Sequence, residues 1–344
     1  MADGPLKIGL MGFGRMGRSL FRILGETRDL SVAAIADPAD HAALVYLLRF
    51  DTLLGRYPGA VELSEDGWLY AGGRRMKMLA ARDPGDVDWA EVGVHTVIDA
   101  SAHFPKRESI EKHLARGARR VILCVPSADP PDITVVMGVN DDQLRSEHRI
   151  VSNASCTAHA AAPVLEVLGE AFGLERVFLT SVHAYTNQQR LADVPAEDPR
   201  RGRAAAENII PQETNAGEVI TALEPALAGK LTAHSINVPV ANGSLVDLVC
   251  WHREPVDVAA INGILRSAAG SKRWRGILAY EDDPIVSSDV RQSTCSSTFD
   301  GPATMTLGDR VSKTIAWFDN TWGYAHRVVD LVRRFREIDE KEAA

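Results

Sequence analysis

LKIGLMGFGRMGRSLFRILGETRDLSVAAIAD (6–37) decides the fold. Its first six residues, LKIGLM (6–11), are a short apolar run of strand length. GFGRMG (12–17) follows with the spacing G-x-G-x-x-G, residues 15–27 read as a helix, and LSVAAIAD (30–37) reads as a second strand. Each glycine has a physical reason: Gly12 permits the tight turn, Gly14 lets backbone approach a pyrophosphate, and Gly17 lets helix and strand pack closely. Phe13, Arg15 and Met16 share that turn, and the helix N-terminus offers unbonded N–H groups and partial positive charge to phosphates. Asp37 ends the second strand 20 residues after Gly17. A carboxylate there accepts hydrogen bonds from the adenosine ribose hydroxyls and repels a 2′-phosphate. No Arg or Lys directly follows Asp37, so the pattern points to NAD rather than NADP. A plain glycine-rich turn beside an exposed aspartate is the bland alternative.

The same alternation continues outward. HTVIDAS (95–101) and RRVILCVPS (119–127) read as strands, with an amphipathic helix near 107–117 between them. DITVVMGVN (132–140) and HRIVSNAS (148–155) extend the set. Repeated strand–helix–strand units imply an α/β fold with a Rossmann-type, doubly wound parallel sheet. From about 157 the pattern changes to a helix (157–172), the strand ERVFLTSVHAYT (175–186), a long polar loop (187–210), another helix, and strands at 231–239 and 243–252. Longer strands with alternating hydrophobicity suggest an α+β domain with a mainly antiparallel sheet. The expected division is 1–155 for cofactor binding and 156–320 for catalysis, with an amphipathic helix at about 321–344 packing back on the first domain.

Composition narrows the function classes. The 344 residues are enough for two domains, and 45% apolar with 24% charged residues is typical of a globular protein. A net charge of −8 argues against a nucleic-acid partner, since no basic excess neutralises phosphates. RRGR (200–203) is the densest basic cluster, readable as a solvated turn or an anion-binding loop. The four cysteines (124, 156, 250, 295) lie far apart, which excludes a CxxC metal site and a disulfide framework and suits a reducing, cytoplasmic setting. The N-terminus lacks a leader pattern, and no apolar run reaches membrane-spanning length.

Chemistry centres on SNASCT (152–157) and SVHAYT (181–186). They supply Cys156 between two hydroxyl residues and His183 from a later strand, a thiol and a base for covalent catalysis. With these, PSAD (126–129), MGVN (137–140), RAAAENIIP (203–211), GKLT (229–232), SSTFD (296–300) and WFDNTWGY (317–324) fall in an order that resembles the phosphorylating glyceraldehyde-3-phosphate dehydrogenases over about 6–335.

The resemblance implies a homotetramer with NAD bound to each subunit, and aldehyde oxidation through a thiohemiacetal on Cys156 with His183 as base. A thioester follows and is cleaved by inorganic phosphate. It implies cofactor contacts from Ser101, Cys124, Asn320 and Tyr324, though Ser101 and Cys124 also read as strand packing and Asn320 as a turn residue. It implies anion contacts from Ser155, Thr157, Thr186 and Thr214. Departures cluster in this shell: Asn237 stands where the family carries an anion-binding Arg, and Asn215 where it carries a Gly. Arg201 is a candidate replacement cation. His159 and His234 are extra histidines, readable as packing or surface residues. Three alternatives stay open: a scaffold retuned to a different small anionic aldehyde, hydrolysis of the thioester by water, or a non-catalytic NAD-binding paralogue.

Overall fold

The computed structural model describes residues 4–342, so the extreme ends of the expected first domain and last helix lie outside the described residues. Two compact units emerge. The first takes the chain up to Val135, then Asp141–Ala154 and the residues from Ala325 onward; the second takes Val136–Asn140 and Ser155–Tyr324.

The first unit is built on a nine-stranded sheet. Leu6–Met11 runs parallel to Leu30–Ala36 on one side and Thr96–Asp99 on the other. Ile8 and Leu10 on one face and Gly9 and Met11 on the other are all buried, as a strand covered on both faces requires. The register sets Met11 beside both Ala36 and Asp99, so three strand ends finish level and deliver Gly12, Asp37 and Ser101 to one sheet edge. That edge is where doubly wound sheets bind ligands. Gly12 makes the turn at φ +91°, a left-handed conformation, and a Cβ on Gly17 would collide with the Gly12 carbonyl oxygen.

Two features of this sheet were not visible in the sequence reading. Ala71–Gly72–Gly73–Arg74 forms a two-residue hairpin turn with φ +58° and +73°, adding antiparallel strands Trp68–Ala71 and Val61–Leu63 outside Arg74–Leu79. The expected strand over 132–140 shrinks to Ile133–Thr134. There Gly138 at φ +84° and the Asn140 side chain, which accepts the Val136 N–H at 2.9 Å, favour a turn over extension.

The last helix, Trp322–Glu342, lays Val328, Leu331, Val332 and Phe335 into the first unit, each 2% exposed or less. Arg120 is 1% exposed, lies 3.8 Å over the Phe335 ring and pairs with Asp339 at 3.0 Å, while Arg333 pairs with Asp29 at 2.9 Å.

The second unit holds an eight-stranded mixed sheet. Leu174–Ala184 sits inside it, parallel to Leu231–Val238 and antiparallel to Ser244–His252, and Ile210–Gln212 forms one edge. Ser244–His252 alternates strictly between buried and half-buried residues, placing Val246, Leu248 and Cys250 on a covered face. Helix Cys156–Phe172 carries Ala160, Ala161 and Ala162, whose small side chains allow close packing where every neighbour is buried.

Gly17→Ala should destabilise the first unit by about 1–3 kcal/mol through overpacking, read as a lower urea midpoint. An unchanged midpoint would show that the turn and helix relax apart freely.

Candidate active site

The chain enters the site through Ala154, a non-glycine residue held at φ +51° between strand Ile150–Ser152 and the helix that follows. Such a conformation costs about 1–3 kcal/mol and persists only where surrounding structure enforces it. Ser155 caps the helix, its Oγ accepting the Ala158 N–H at 3.2 Å. Cys156 is therefore the first helical residue, half-buried, where the helix dipole favours negative charge.

His183 is the penultimate residue of strand Leu174–Ala184. Its Nε2 lies 3.5 Å from Cys156 Sγ, and its Nδ1 lies 2.6 Å from the Ala184 carbonyl oxygen. A carbonyl only accepts, so Nδ1 carries the proton and Nε2 is the nitrogen that exchanges a proton with sulfur. Phe318 packs 5.9 Å from the imidazole, ring to ring. Burial by itself lowers the imidazole pKa, but the hydrogen bond and charge of Cys156 and the Ala184 carbonyl together raise it above the ordinary value. A thiol beside an imidazole that readily holds a proton can form a thiolate–imidazolium pair, the reactive form of cysteine. Two other thiols behave oppositely: desolvation pushes buried Cys250 up to about 12, and desolvation with the Asp99 charge pushes Cys124 well above its normal value.

The residues expected to bind anions are placed unevenly. Thr186 sits at the strand exit, its Oγ1 3.0 Å from Gln189 Oε1. Thr214 accepts the Ala216 N–H at 3.2 Å at the start of helix Ala216–Leu223, and exposed Asn215 occupies that helix's N-cap without a side-chain cap bond. Three of them make contacts within the protein. Thr157 is buried with its hydroxyl 3.4 Å from Ser181 Oγ, so it joins helix to strand. Arg201 is exposed and turned toward Asp198 of its own loop at 3.6 Å. Asn237 is 6% exposed and its amide is engaged internally: Oδ1 accepts from Gln212 Nε2 at 2.6 Å, and Nδ2 donates to the Ala184 carbonyl at 3.3 Å.

The expected cofactor residues of the first unit gather at the level strand ends. Asp37 accepts the Phe13 N–H at 2.7 Å and the Ala39 N–H at 2.9 Å, which locks the glycine turn to the second strand and leaves the half-buried carboxylate further acceptor capacity. Phe13 itself differs from expectation: its side chain is fully buried edge-on to Phe21 and its amide is committed to Asp37, so it shapes the turn. Gly14 is exposed, carries no side-chain cap, and a Cβ built there would meet nothing within 4 Å. No protein neighbour requires a glycine at that position, which fits a turn left open for a phosphate. Arg15 and Met16 follow it, half-buried. Ser101 donates through both N–H and Oγ to Asp99 Oδ1, at 2.9 and 2.6 Å, and Ala102 beyond it holds φ +61°. The Cys124 N–H bonds the Asp99 carbonyl oxygen at 2.9 Å.

In the second unit, Asn320 is 7% exposed and its Oδ1 has no hydrogen-bond partner among the described residues. Buried amide oxygens are rarely left so, and an incoming carboxamide N–H would satisfy this one. Tyr324 is 4% exposed, and its ring meets His159 edge-on at 5.7 Å, a core packing position for both. His159 thereby takes the bland of its two readings.

Sequence reasoning missed the residues that hold these groups. Asp319 accepts from Asn242 Nδ2, Gln292 N, Thr321 N and Trp322 N at 2.7–2.8 Å, fixing the turn that presents Asn320. An Asp just before a helical run is a start signal that could have revealed it. Ser244, which accepts the Ala184 N–H at 3.0 Å, and Gln212 had no local signal.

Replacing His183 with Gln should slow iodoacetamide alkylation of Cys156 at pH 7 by about tenfold or more, the loss of one hydrogen bond between charged partners being worth that factor. Asp319→Ala should cost roughly 2–4 kcal/mol of stability by orphaning buried donors and should weaken NAD binding, measured by fluorescence titration.

Two family models match the chain. One, described as "Glyceraldehyde 3-phosphate dehydrogenase, NAD binding domain", covers residues 6–107, and one described as "Glyceraldehyde 3-phosphate dehydrogenase, C-terminal domain" covers 155–320. The chain is 43% identical to the glyceraldehyde-3-phosphate dehydrogenase of Streptomyces coelicolor over 328 residues, 95% of this chain and 97% of that protein. It is 43% identical to the enzyme of that name from Geobacillus stearothermophilus over 327 residues, with the same coverage. It is also 43% identical to the one from Borreliella burgdorferi over 335 residues, 96% and 99% of the two chains. Extended identity along both units, with the cysteine–histidine pair and the glycine turn in place, makes this chain a member of the glyceraldehyde-3-phosphate dehydrogenase family.

Proposed function

We propose that the protein is an NAD-dependent, phosphorylating aldehyde dehydrogenase acting on glyceraldehyde 3-phosphate or a close analogue. The observation that carries this reading is the 3.5 Å approach of His183 Nε2 to Cys156 Sγ at a helix N-terminus. In the mechanism, the Cys156 thiolate attacks the aldehyde carbon to form a thiohemiacetal. The Cys156 N–H and the imidazole hold the developing oxyanion. Nε2 of His183 then accepts the hydroxyl proton as the hydride departs and the C–S-bound carbon becomes a thioester. Bound NAD supplies the hydride acceptor. Gly12, Gly14 and Gly17 would admit its pyrophosphate, Asp37 its adenosine ribose, and Asn320 its carboxamide, which selects the reacting face. An oxygen of inorganic phosphate attacks the thioester carbonyl, the C–S bond breaks, and acyl phosphate leaves as the thiolate re-forms.

The family's anion shell is only partly represented here, since Asn237 is engaged internally and supplies no guanidinium. A second reading follows: the same chemistry retuned to a related small anionic aldehyde. Thr186 and Thr214 are the hydroxyl groups available for its anionic end.

A homotetramer is the assembly that the family resemblance implies. Strands of the second unit leave Phe178 55% and Leu307 77% exposed, and the loop after His183 leaves Leu191 90% exposed, apolar surface that subunit contacts would cover. A cytoplasmic setting agrees with four free cysteines, and no described helix is long and apolar enough to cross a membrane. Light scattering on the purified protein checks the tetramer.

An aldehyde panel with NAD, run with and without phosphate, tests the reaction. NADH formation from glyceraldehyde 3-phosphate should require phosphate, and an equal rate without it would sink the phosphorylating step. Cys156→Ser should abolish oxidation while leaving NAD affinity nearly unchanged. His183→Gln should lower kcat by about a hundredfold or more, the usual value of a positioned general base.

A further inference from the structure

We propose that Asn237, braced by Gln212, is a positioning residue for His183: it holds the Ala184 carbonyl that in turn holds the imidazole. The proposal rests on the reading of Cys156 and His183 as nucleophile and base.

Register creates the arrangement. Strand Leu231–Val238 runs parallel to Leu174–Ala184 with Asn237 directly beside His183, and antiparallel to Ile210–Gln212 with Ser235 opposite Gln212. Side chains alternate faces, so Asn237 and Ser235 share one face. Gln212 then reaches Asn237 as a diagonal cross-strand neighbour. Three strands meet at one amide.

The donors and acceptors permit one assignment. The Ala184 carbonyl accepts only, so the Asn237 atom facing it at 3.3 Å is Nδ2. Oδ1 must then face Gln212, which has to present its Nε2, at 2.6 Å. A weaker 3.5 Å approach links Nδ2 to the His183 carbonyl as well. The Ala184 oxygen thus receives two donors, His183 Nδ1–H at 2.6 Å and Asn237 Nδ2–H, one for each lone pair.

The location gives the contact its consequence. Ala184 is the last strand residue before the polar loop that runs on to Ile210. The Ala184–Tyr185 peptide is tied on its N–H side by the Tyr185 N–H bond to the Val240 carbonyl at 3.0 Å. The Asn237 donor fixes its oxygen side, so that the imidazole keeps Nε2 aimed at Cys156 Sγ. Cys156 is the titratable group facing His183 across this contact, and Phe318 closes the apolar side. At 6% exposure and with both ends of its amide hydrogen-bonded inside the protein, Asn237 supports the base from behind.

The test is the pH profile of iodoacetamide alkylation of Cys156, measured on the full-length protein without substrate, together with kcat and KM for the aldehyde. Asn237→Leu should move the alkylation midpoint to higher pH and slow alkylation at pH 6.5 by about fivefold, the value of one hydrogen bond. It should lower kcat by about tenfold or more through misalignment of the base, with KM for aldehyde and phosphate within about twofold. If the leucine variant does not fold by circular dichroism, Gln212→Leu replaces it and should shift the profile in the same direction by a smaller amount. A profile superimposable on wild type, with only KM raised, would overturn the proposal and return Asn237 to the anion shell. A shifted profile in a protein that oxidises no aldehyde would leave the positioning role standing while the proposed function fails.

Discussion

The contact between Cys156 Sγ and His183 Nε2 is the interaction around which the second unit is organised. Neither residue is placed by its own neighbourhood alone. The sulfur is set by a helix that must begin at Cys156, which Ser155 enforces by capping and Ala154 by its left-handed backbone. The imidazole is set by a strand that must end at Ala184, whose carbonyl turns back to hold Nδ1. A helix start and a strand end are both positions where backbone groups lack ladder partners, and here those free groups do chemical service.

The pair also shows how one protein separates its thiols. Cys124 and Cys250 sit where desolvation opposes ionisation, with Cys250 pushed up to about 12. Cys156 has an imidazole whose pKa is raised in spite of burial. Burial alone makes a cysteine a small core residue; burial beside a proton carrier makes it a nucleophile.

The glycine turn was legible because a local sequence dictates local backbone: Gly12, Gly17 and Asp37 lie within one strand–helix–strand unit. Cys156 and His183 stood out together because the runs around them fall in an ordered set of segments that resembles one family. Thr157 comes from the family pattern, Asn237 from a departure from it and Arg201 from the basic loop, and each makes a contact of its own inside the protein: Thr157 with Ser181, Arg201 with Asp198, Asn237 with Gln212 and Ala184. A short amide cannot reach where a long guanidinium reaches, so the substituted residue bonds to what is beside it.

The sequence by itself determined the first strand–helix–strand unit and the glycine turn with its acidic strand end, because periodicity, turn chemistry and residue type are local properties. Tertiary structure alone decided the sheet registers, and with them everything that depends on pairing. It set Asn237 beside His183, Gln212 diagonal to Asn237, and four donors around Asp319, and it left the Asn320 oxygen without a partner among the described residues. A one-residue slip in register would turn Asn237 or Gln212 to the opposite face, and no local signal in the chain records which pairing wins.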